Sequence, residues 1–224
     1  MPSTSARPAL FEQLARVGKA LGSGKRLELL DLLVQGSRGV VALAQAAGMN
    51  VTTTSAHLQI LKQAGLVAAD RDGTTIRYSL ASGDVVALYG KLLEVASTHS
   101  ADVEAAAKRL LGPDDTEAIG REELRRRVKA GDAIVVDVRP AAEYAAGHLP
   151  GALSIPLDEL VDRLDELPDT VEVVAYCRGV YCTFSHDAVR LLAAKGRKAV
   201  RLADGILEWQ VAGNKLSTDG DSER

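Results

Sequence analysis

The stretch NVTTTSAHLQILKQAGLVAADRDGTTIRYSL, residues 50–80, places a helix, a break and two strands in immediate succession. Asn50 is a residue type whose side chain caps a helix start, and residues 51–64 follow it as a helix that stops before Gly65. Thr54, Leu58 and Leu61 share one face of that helix, and polar residues share the other. Residues 66–69 and 75–80 read as strands. Asp72-Gly73 between them is a hairpin turn, because glycine takes a positive φ at little cost. Working outward, Leu10, Phe11, Leu14, Val17 and Leu21 recur at helical spacing before a break at Gly22-Ser23-Gly24. Residues 25–34 form a second amphipathic run ending near Gly36, and residues 40–47 a short third helix closed by Gly48. On the far side, a long helical stretch over 84–111 ends at Gly112-Pro113-Asp114-Asp115, which sets the domain boundary.

Beyond that boundary strands and helices alternate. Apolar runs at 133–138, 171–176 and 198–202 read as strands, with helical patterns at 141–146, 157–167 and 183–195 between them. Such alternation predicts a parallel α/β sheet, in which sites form at the carboxyl ends of strands. The polar tail from Leu216 is expected to fray. The architecture expected is therefore a mainly helical domain over 1–112 followed by an α/β domain over 113–224.

Composition narrows the function. The 224 residues are 46% hydrophobic and 25% charged, an ordinary globular mix. No apolar run approaches the ~20 residues that span a bilayer, and the N-terminal stretch lacks the apolar centre of a signal peptide. Membrane insertion and secretion are not expected, and the cytoplasm is the expected location. Two cysteines, both in one short segment, exclude a disulfide-stapled scaffold. The net charge of −3 is uneven: residues 1–112 carry 12 Lys/Arg against 9 Asp/Glu, and residues 113–224 carry 15 against 21. The halves are built for different partners.

The first half is similar to the ArsR family of bacterial repressors. Leu43-Ala44-Gln45-Ala46-Ala47-Gly48 matches that family's first turn helix, and residues 55–67 match its recognition helix and the start of its wing. The resemblance implies a winged helix-turn-helix that binds double-stranded operator DNA as a homodimer, paired through its first and last helices. Leu88, Tyr89, Leu92, Leu93 and Val95 fit such a face. Thr52, Thr53, Ser55, His57, Gln59 and Lys62 are the candidates for base and phosphate contacts, and Arg71 and Arg77 flank the hairpin tip where they could track phosphate. The family often has Arg where this chain has Ala56. Many members sense metals through thiolates and histidines, but this half has no cysteine, and His57 and His99 lack ligand spacing. No metal and no cofactor is expected.

In the second half, Tyr176-Cys177-Arg178-Gly179-Val180-Tyr181-Cys182 lies between a predicted strand and a predicted helix. A cysteine there faces a helix N-terminus, and the helix dipole, the loop amides and Arg178 would favour its thiolate. Further stretches join it: Asp137-Val138-Arg139, Glu143-Tyr144, Gly147-His148-Leu149-Pro150-Gly151-Ala152, Ser154-Ile155-Pro156 and Asp204-Gly205-Ile206-Leu207-Glu208-Trp209. Together they resemble the rhodanese family, whose members transfer sulfane sulfur through a cysteine persulfide. The resemblance implies Cys177 as the persulfide-forming nucleophile, with Arg178, Gly179, Val180, Tyr181 and Cys182 enclosing the outer sulfur. Related phosphatases use a loop one residue longer that ends in Arg. Many active rhodaneses carry Arg where this chain has Cys182, a cation that would hold a sulfonate. Three readings of the loop stay open: Cys177 as a turnover catalyst, Cys177 as an acceptor of sulfane sulfur or an oxidant that Cys182 resolves, or two inert buried thiols. Asp137, Arg139 and His148 are expected to support the backbone, and His186 to be solvated.

The resulting expectation is a transcriptional regulator whose rhodanese-like domain senses sulfane sulfur or oxidation through Cys177. The alternatives are a sulfurtransferase whose helical half serves dimerisation or targeting, and a constitutive DNA binder with an inactive second domain.

Overall fold

The computed structural model describes residues 6–218. The chain divides into two compact units, one ending at Tyr89 and the other beginning at Gly90. The first contains α1 (Ala6–Leu21), α2 (Gly24–Val34), β1 (Arg38–Gly39), α3 (Val40–Ala46), α4 (Val51–Gln63), β2 (Val67–Asp72) and β3 (Thr75–Leu80), and α5 (Gly83–His99) starts within it. Leu29, Leu30, Leu43, Leu58 and Leu61 bury the inner faces of α2, α3 and α4. The three strands form an antiparallel sheet in the order β1-β3-β2. Asn50 caps α4 as its residue type predicts, its side chain accepting from the Thr53 amide at 2.8 Å. Thr54 is buried and donates its hydroxyl to the Asn50 carbonyl at 3.0 Å, so a polar residue sits in the core without an unmet hydrogen bond.

Two boundaries differ from expectation. Pairing continues to Asp72 opposite Thr75, so the turn is Gly73-Thr74 rather than Asp72-Gly73, with Gly73 at φ 59°. The long helix over 84–111 is two helices, α5 and α6 (Ala101–Leu111). Ser100 is extended between them, and its hydroxyl accepts from the Val103 amide at 3.4 Å, starting a new helix.

The second unit continues with β4 (Ala118–Ile119), α7 (Arg121–Ala130), β5 (Ala133–Asp137), α8 (Ala141–Ala146), β6 (Leu153–Ser154), β7 (Glu172–Tyr176), α9 (Phe184–Ala194), β8 (Ala199–Leu202) and α10 (Ile206–Val211). Its five strands are all parallel, in the order β4-β8-β7-β5-β6. Val136, Ile155, Leu160, Val173, Ala175 and Leu192 form its core. The helix expected over 157–167 is a series of tight turns closing with a 3-10 turn at Leu164–Glu166. Leu157, Leu160, Leu164 and Leu167 still reach the core, because recurrence at three and four residues is met by successive turns as well as by a helix. The tail is held at Ser217, which exchanges backbone hydrogen bonds with His148 at 2.9 Å, and residues 219–224 lie outside the described residues. No helix among the described residues is long and apolar enough to cross a membrane.

Candidate functional site

The central strand β7 ends at Tyr176, so Cys177 leaves the sheet at the carboxyl end of its middle strand and at the start of the loop that feeds α9. A buried polar layer fixes this exit. Asp137 ends β5 beside Tyr176, and Asp137 and Arg139 form a fully buried ion pair at 2.6 Å. The Tyr176 hydroxyl donates to Asp137 and accepts from the Leu149 amide at 3.1 Å, while Arg139 donates to the Gly147 carbonyl at 2.8 Å. The pair therefore ties β5, β7 and the turn before Leu149 together. Burial of its hydroxyl beside Asp137 holds Tyr176 well above the usual phenol range. His148 also serves the backbone: its ring stacks on Tyr144 at 3.7 Å and its Nδ1 lies 3.0 Å from the Tyr144 carbonyl.

The loop brings the two cysteines together. Cys177 Sγ lies 3.3 Å from Ser185 Oγ, 3.5 Å from the Cys182 carbonyl and 3.9 Å from the Gly179 carbonyl. Both thiols are free. The Cys182 amide donates to the Gly179 carbonyl at 3.0 Å, which closes the loop into a turn. Arg178 turns away from the sulfurs. Its guanidinium engages the buried Glu143 carboxylate, with Nε to Oε2 at 2.9 Å, and lies over the Phe184 ring at 5.1 Å. Val180 is exposed, and its amide points to Glu208 Oε1 at 3.4 Å. Tyr181 is half-buried.

The electrostatics correct one expectation. A helix N-terminus and loop amides were expected to make Cys177 the thiolate. Its burial instead pushes its thiol well up. Cys182 is brought down to about 7, first by the neighbouring Cys177, then by the amides of Arg178 and Phe184 and the Arg178 charge. Burial also raises the Glu208 carboxyl. His186 is buried, not solvated. It lies 3.4 Å from Thr116 Oγ1, and desolvation, then Arg201 and Arg190, lower its pKa. Sequence reasoning missed Ser185 as a neighbour of the sulfur, although its place in the first turn of α9 was a usable signal.

The second site is a surface of the first unit. Thr52, Thr53, Gln59 and Lys62 are exposed on α4, and Ser55 and His57 are half-buried there. Arg71 and Arg77 are exposed on the hairpin. Arg77 donates to Ser37 Oγ at 3.2 Å, Arg71 to the Gly73 carbonyl at 3.1 Å, and Gln59 to the Tyr78 hydroxyl at 3.4 Å. Ala56 is exposed on the same helix. Tyr89, expected on a dimer face, is buried, and its hydroxyl donates to Asp31 Oδ1 at 3.3 Å.

A helix-turn-helix with a β-hairpin wing, and a parallel sheet with a cysteine loop at its central strand, define a DNA-binding regulator joined to a rhodanese-type domain. Comparison with known proteins agrees. Residues 23–69 match the model of bacterial regulatory proteins of the arsR family, and residues 120–212 match the rhodanese-like domain. The chain is 54% identical over 208 residues to the HTH-type transcriptional regulator Rv0324 of Mycobacterium tuberculosis, covering 92% of this chain and 91% of that protein. It is 34% identical over 92 residues to a sulfurtransferase of Allochromatium vinosum, 41% of this chain and 85% of that one. A homodimeric winged helix-turn-helix domain, Mb0332 of Mycobacterium bovis, is 49% identical over 46% of this chain and 94% of its own, with a TM-score of 0.43. The chain belongs to the ArsR-type transcriptional regulators that carry a C-terminal rhodanese-like domain.

Proposed function

We propose that this regulator senses sulfane sulfur or oxidation through Cys177 and alters its binding to operator DNA in response. The observation that carries the reading is the pair of free thiols in the loop after the central strand, with Cys177 Sγ 3.5 Å from the Cys182 carbonyl, on the same chain as a winged helix-turn-helix. Thr52, Thr53, Ser55, His57, Gln59 and Lys62 of α4 face the operator in this reading, with Arg71 and Arg77 on flanking phosphates. The protein acts in the cytoplasm as a homodimer. Leu10, Phe11 and Leu14, more than half exposed on α1, supply apolar surface for the pairing. Repression of the target is the expected sense.

A salt-controlled gel-shift with DNA from upstream of its own gene tests this. Reduced protein, polysulfide-treated protein and Cys177→Ser are compared. Sequence-specific binding that polysulfide changes only when Cys177 is present supports the reading. Equal affinity of reduced and treated protein overturns it. A second reading, sulfurtransfer through a Cys177 persulfide, is favoured by the similarity of the second half to a sulfurtransferase. Cyanide-dependent turnover of thiosulfate without specific DNA binding would establish that one instead.

A further inference from the structure

Cys177 is 2% exposed, and its sulfur lies 3.3 Å from the Ser185 hydroxyl, 3.5 Å from the Cys182 carbonyl and 3.9 Å from the Gly179 carbonyl. The carbonyls can only accept, so they suit the thiol and oppose a thiolate. Other donors of the loop are engaged elsewhere. The Arg178 guanidinium is held by Glu143, the Val180 amide points to Glu208, and the Cys182 amide donates to the Gly179 carbonyl. The Ser185 hydroxyl differs in kind, because it can turn. It accepts from the thiol, and once the proton has gone it can donate to the same sulfur. Its place follows from the chain: Ser185 stands in the first turn of α9, directly after the loop, and is itself buried. Burial pushes the Cys177 thiol up, and the hydrogen bond with Ser185 acts against that push.

We propose that Ser185 is a catalytic residue of this site, its hydroxyl donating to the Cys177 sulfur while that sulfur takes sulfane sulfur from an inorganic polysulfide. The proposal rests on the sulfur-responsive reading above, and it gives a neutral hydroxyl the task of holding the sulfur anion. The Cys177 thiol loses its proton, and the hydroxyl turns to face the thiolate. The thiolate attacks the terminal sulfur of a hydrogen polysulfide. A sulfur–sulfur bond forms to Cys177, and the bond behind the terminal sulfur breaks. The shortened polysulfide leaves with the electron pair and takes up the proton that the thiol released. The product is a Cys177 persulfide, and no further oxidant or reductant is needed. A donor aimed at a buried charge counts for more than the same donor in water, so one hydroxyl is a sizeable contribution here.

The test uses the full chain carrying Cys182→Ser, so that no second thiol can draw the persulfide off Cys177. The pH profile of Cys177 alkylation by iodoacetamide, read by peptide mass spectrometry, is compared with and without Ser185→Ala, Ser185→Val or Ser185→Thr. The plateau at high pH reports access to the sulfur, and the midpoint reports its ionisation. Ser185→Ala and Ser185→Val should raise the midpoint by about 1–2 pH units, the size of a hydrogen bond to a charged group. Ser185→Thr, which keeps a hydroxyl, should stay within about half a unit. At pH 8 the two hydroxyl-free variants should take up sulfur from inorganic polysulfide roughly 3–10-fold more slowly, since a thiolate of higher pKa is rarer but more nucleophilic. A purely packing role would move the plateau and leave the midpoint. An unchanged midpoint in either hydroxyl-free variant overturns the proposal, as does a Ser185→Thr that shifts as far as they do. Valine has the shape of threonine, so that pair decides even if the alanine variant fails to fold. A parallel gel-shift, on chains that keep Cys182, separates the two readings. A shifted midpoint with no effect of polysulfide on DNA affinity refutes the regulatory function alone. A DNA response with an unchanged midpoint refutes the role of Ser185 alone.

Discussion

Gly205 lets α10 meet the sulfur loop. A side-chain carbon there would lie 2.3 Å from the Gly179 nitrogen and 2.6 Å from the Arg178 carbonyl carbon, both main-chain atoms that cannot swing aside. The contact allows the amides of Ile206 and Leu207 to donate to the carbonyls of Cys177 and Arg178 at 3.2 and 3.1 Å. Gly205→Ala is therefore expected to cost about 1–3 kcal/mol, as overpacking does. Urea denaturation of the variant checks this. Asp137 offers a second case. Its partner Arg139 is wholly buried, so Asp137→Asn removes the carboxylate that pairs with a buried cation and should cost about 3–5 kcal/mol. A fall in the urea midpoint at unchanged slope would show it. His186 gives a pH dependence with a definite sign. Its folded pKa is lowered, so the unfolded chain binds the proton more readily. The stability penalty is absent above the unfolded value near 6.5 and grows as pH falls below it. Melting temperatures at pH 7.5 and 5.5 should diverge more for wild type than for His186→Gln. Equal divergence would assign the acid sensitivity to other groups.

At the scale of elements, the sequence is most legible where local chemistry and packing agree. Asn50, the face of Thr54, Leu58 and Leu61, and the strand over 75–80 all stand where the pattern puts them. Removing the cap by Asn50→Ala should lower stability by about 1 kcal/mol, since the Thr53 amide loses its acceptor; a thermal melt reads this directly. Legibility fails where one spacing serves two structures. The leucines over 157–167 fit a helix, yet successive turns deliver the same side chains to the core. It fails again at Ser100, a single polar residue inside a helical pattern whose capping role depends on the turn of the chain around it. The cysteine loop was legible as an element, between a strand and a helix. The surroundings of the Cys177 sulfur were not, because they depend on which carbonyls and which hydroxyl happen to face it. Burial of His186 was hidden for a similar reason: Thr116, which meets it, lies 70 positions away in the chain.

For the whole molecule, the proposed sensing turns on the free-energy difference that chemistry at the sulfur loop would impose on DNA binding. A single winged helix-turn-helix covers too little DNA for tight specific binding, so the active species is expected to be a dimer reading two half-sites. Leu10, Phe11 and Leu14 are 57%, 55% and 58% exposed, apolar surface suited to such pairing. The double variant Phe11→Glu, Leu14→Glu should sediment near the 23.7 kDa chain mass where wild type sediments at twice that mass. It should also lose at least about 100-fold in operator affinity, because the second half-site no longer contributes. An unchanged sedimentation mass would place the dimer contact elsewhere or remove it. The chemical switch belongs on top of this equilibrium. Coupling between two sites typically amounts to ~1–3 kcal/mol, which is roughly 5–150-fold in Kd. Polysulfide treatment of wild type should therefore move the gel-shift midpoint within that range at fixed salt. Cys177→Ser should hold it still, since the sulfur proposed to take up the signal is gone. Salt must be held constant because phosphate contacts make the affinity itself steeply salt-dependent. If that variant responds as wild type does, the signal enters somewhere other than Cys177.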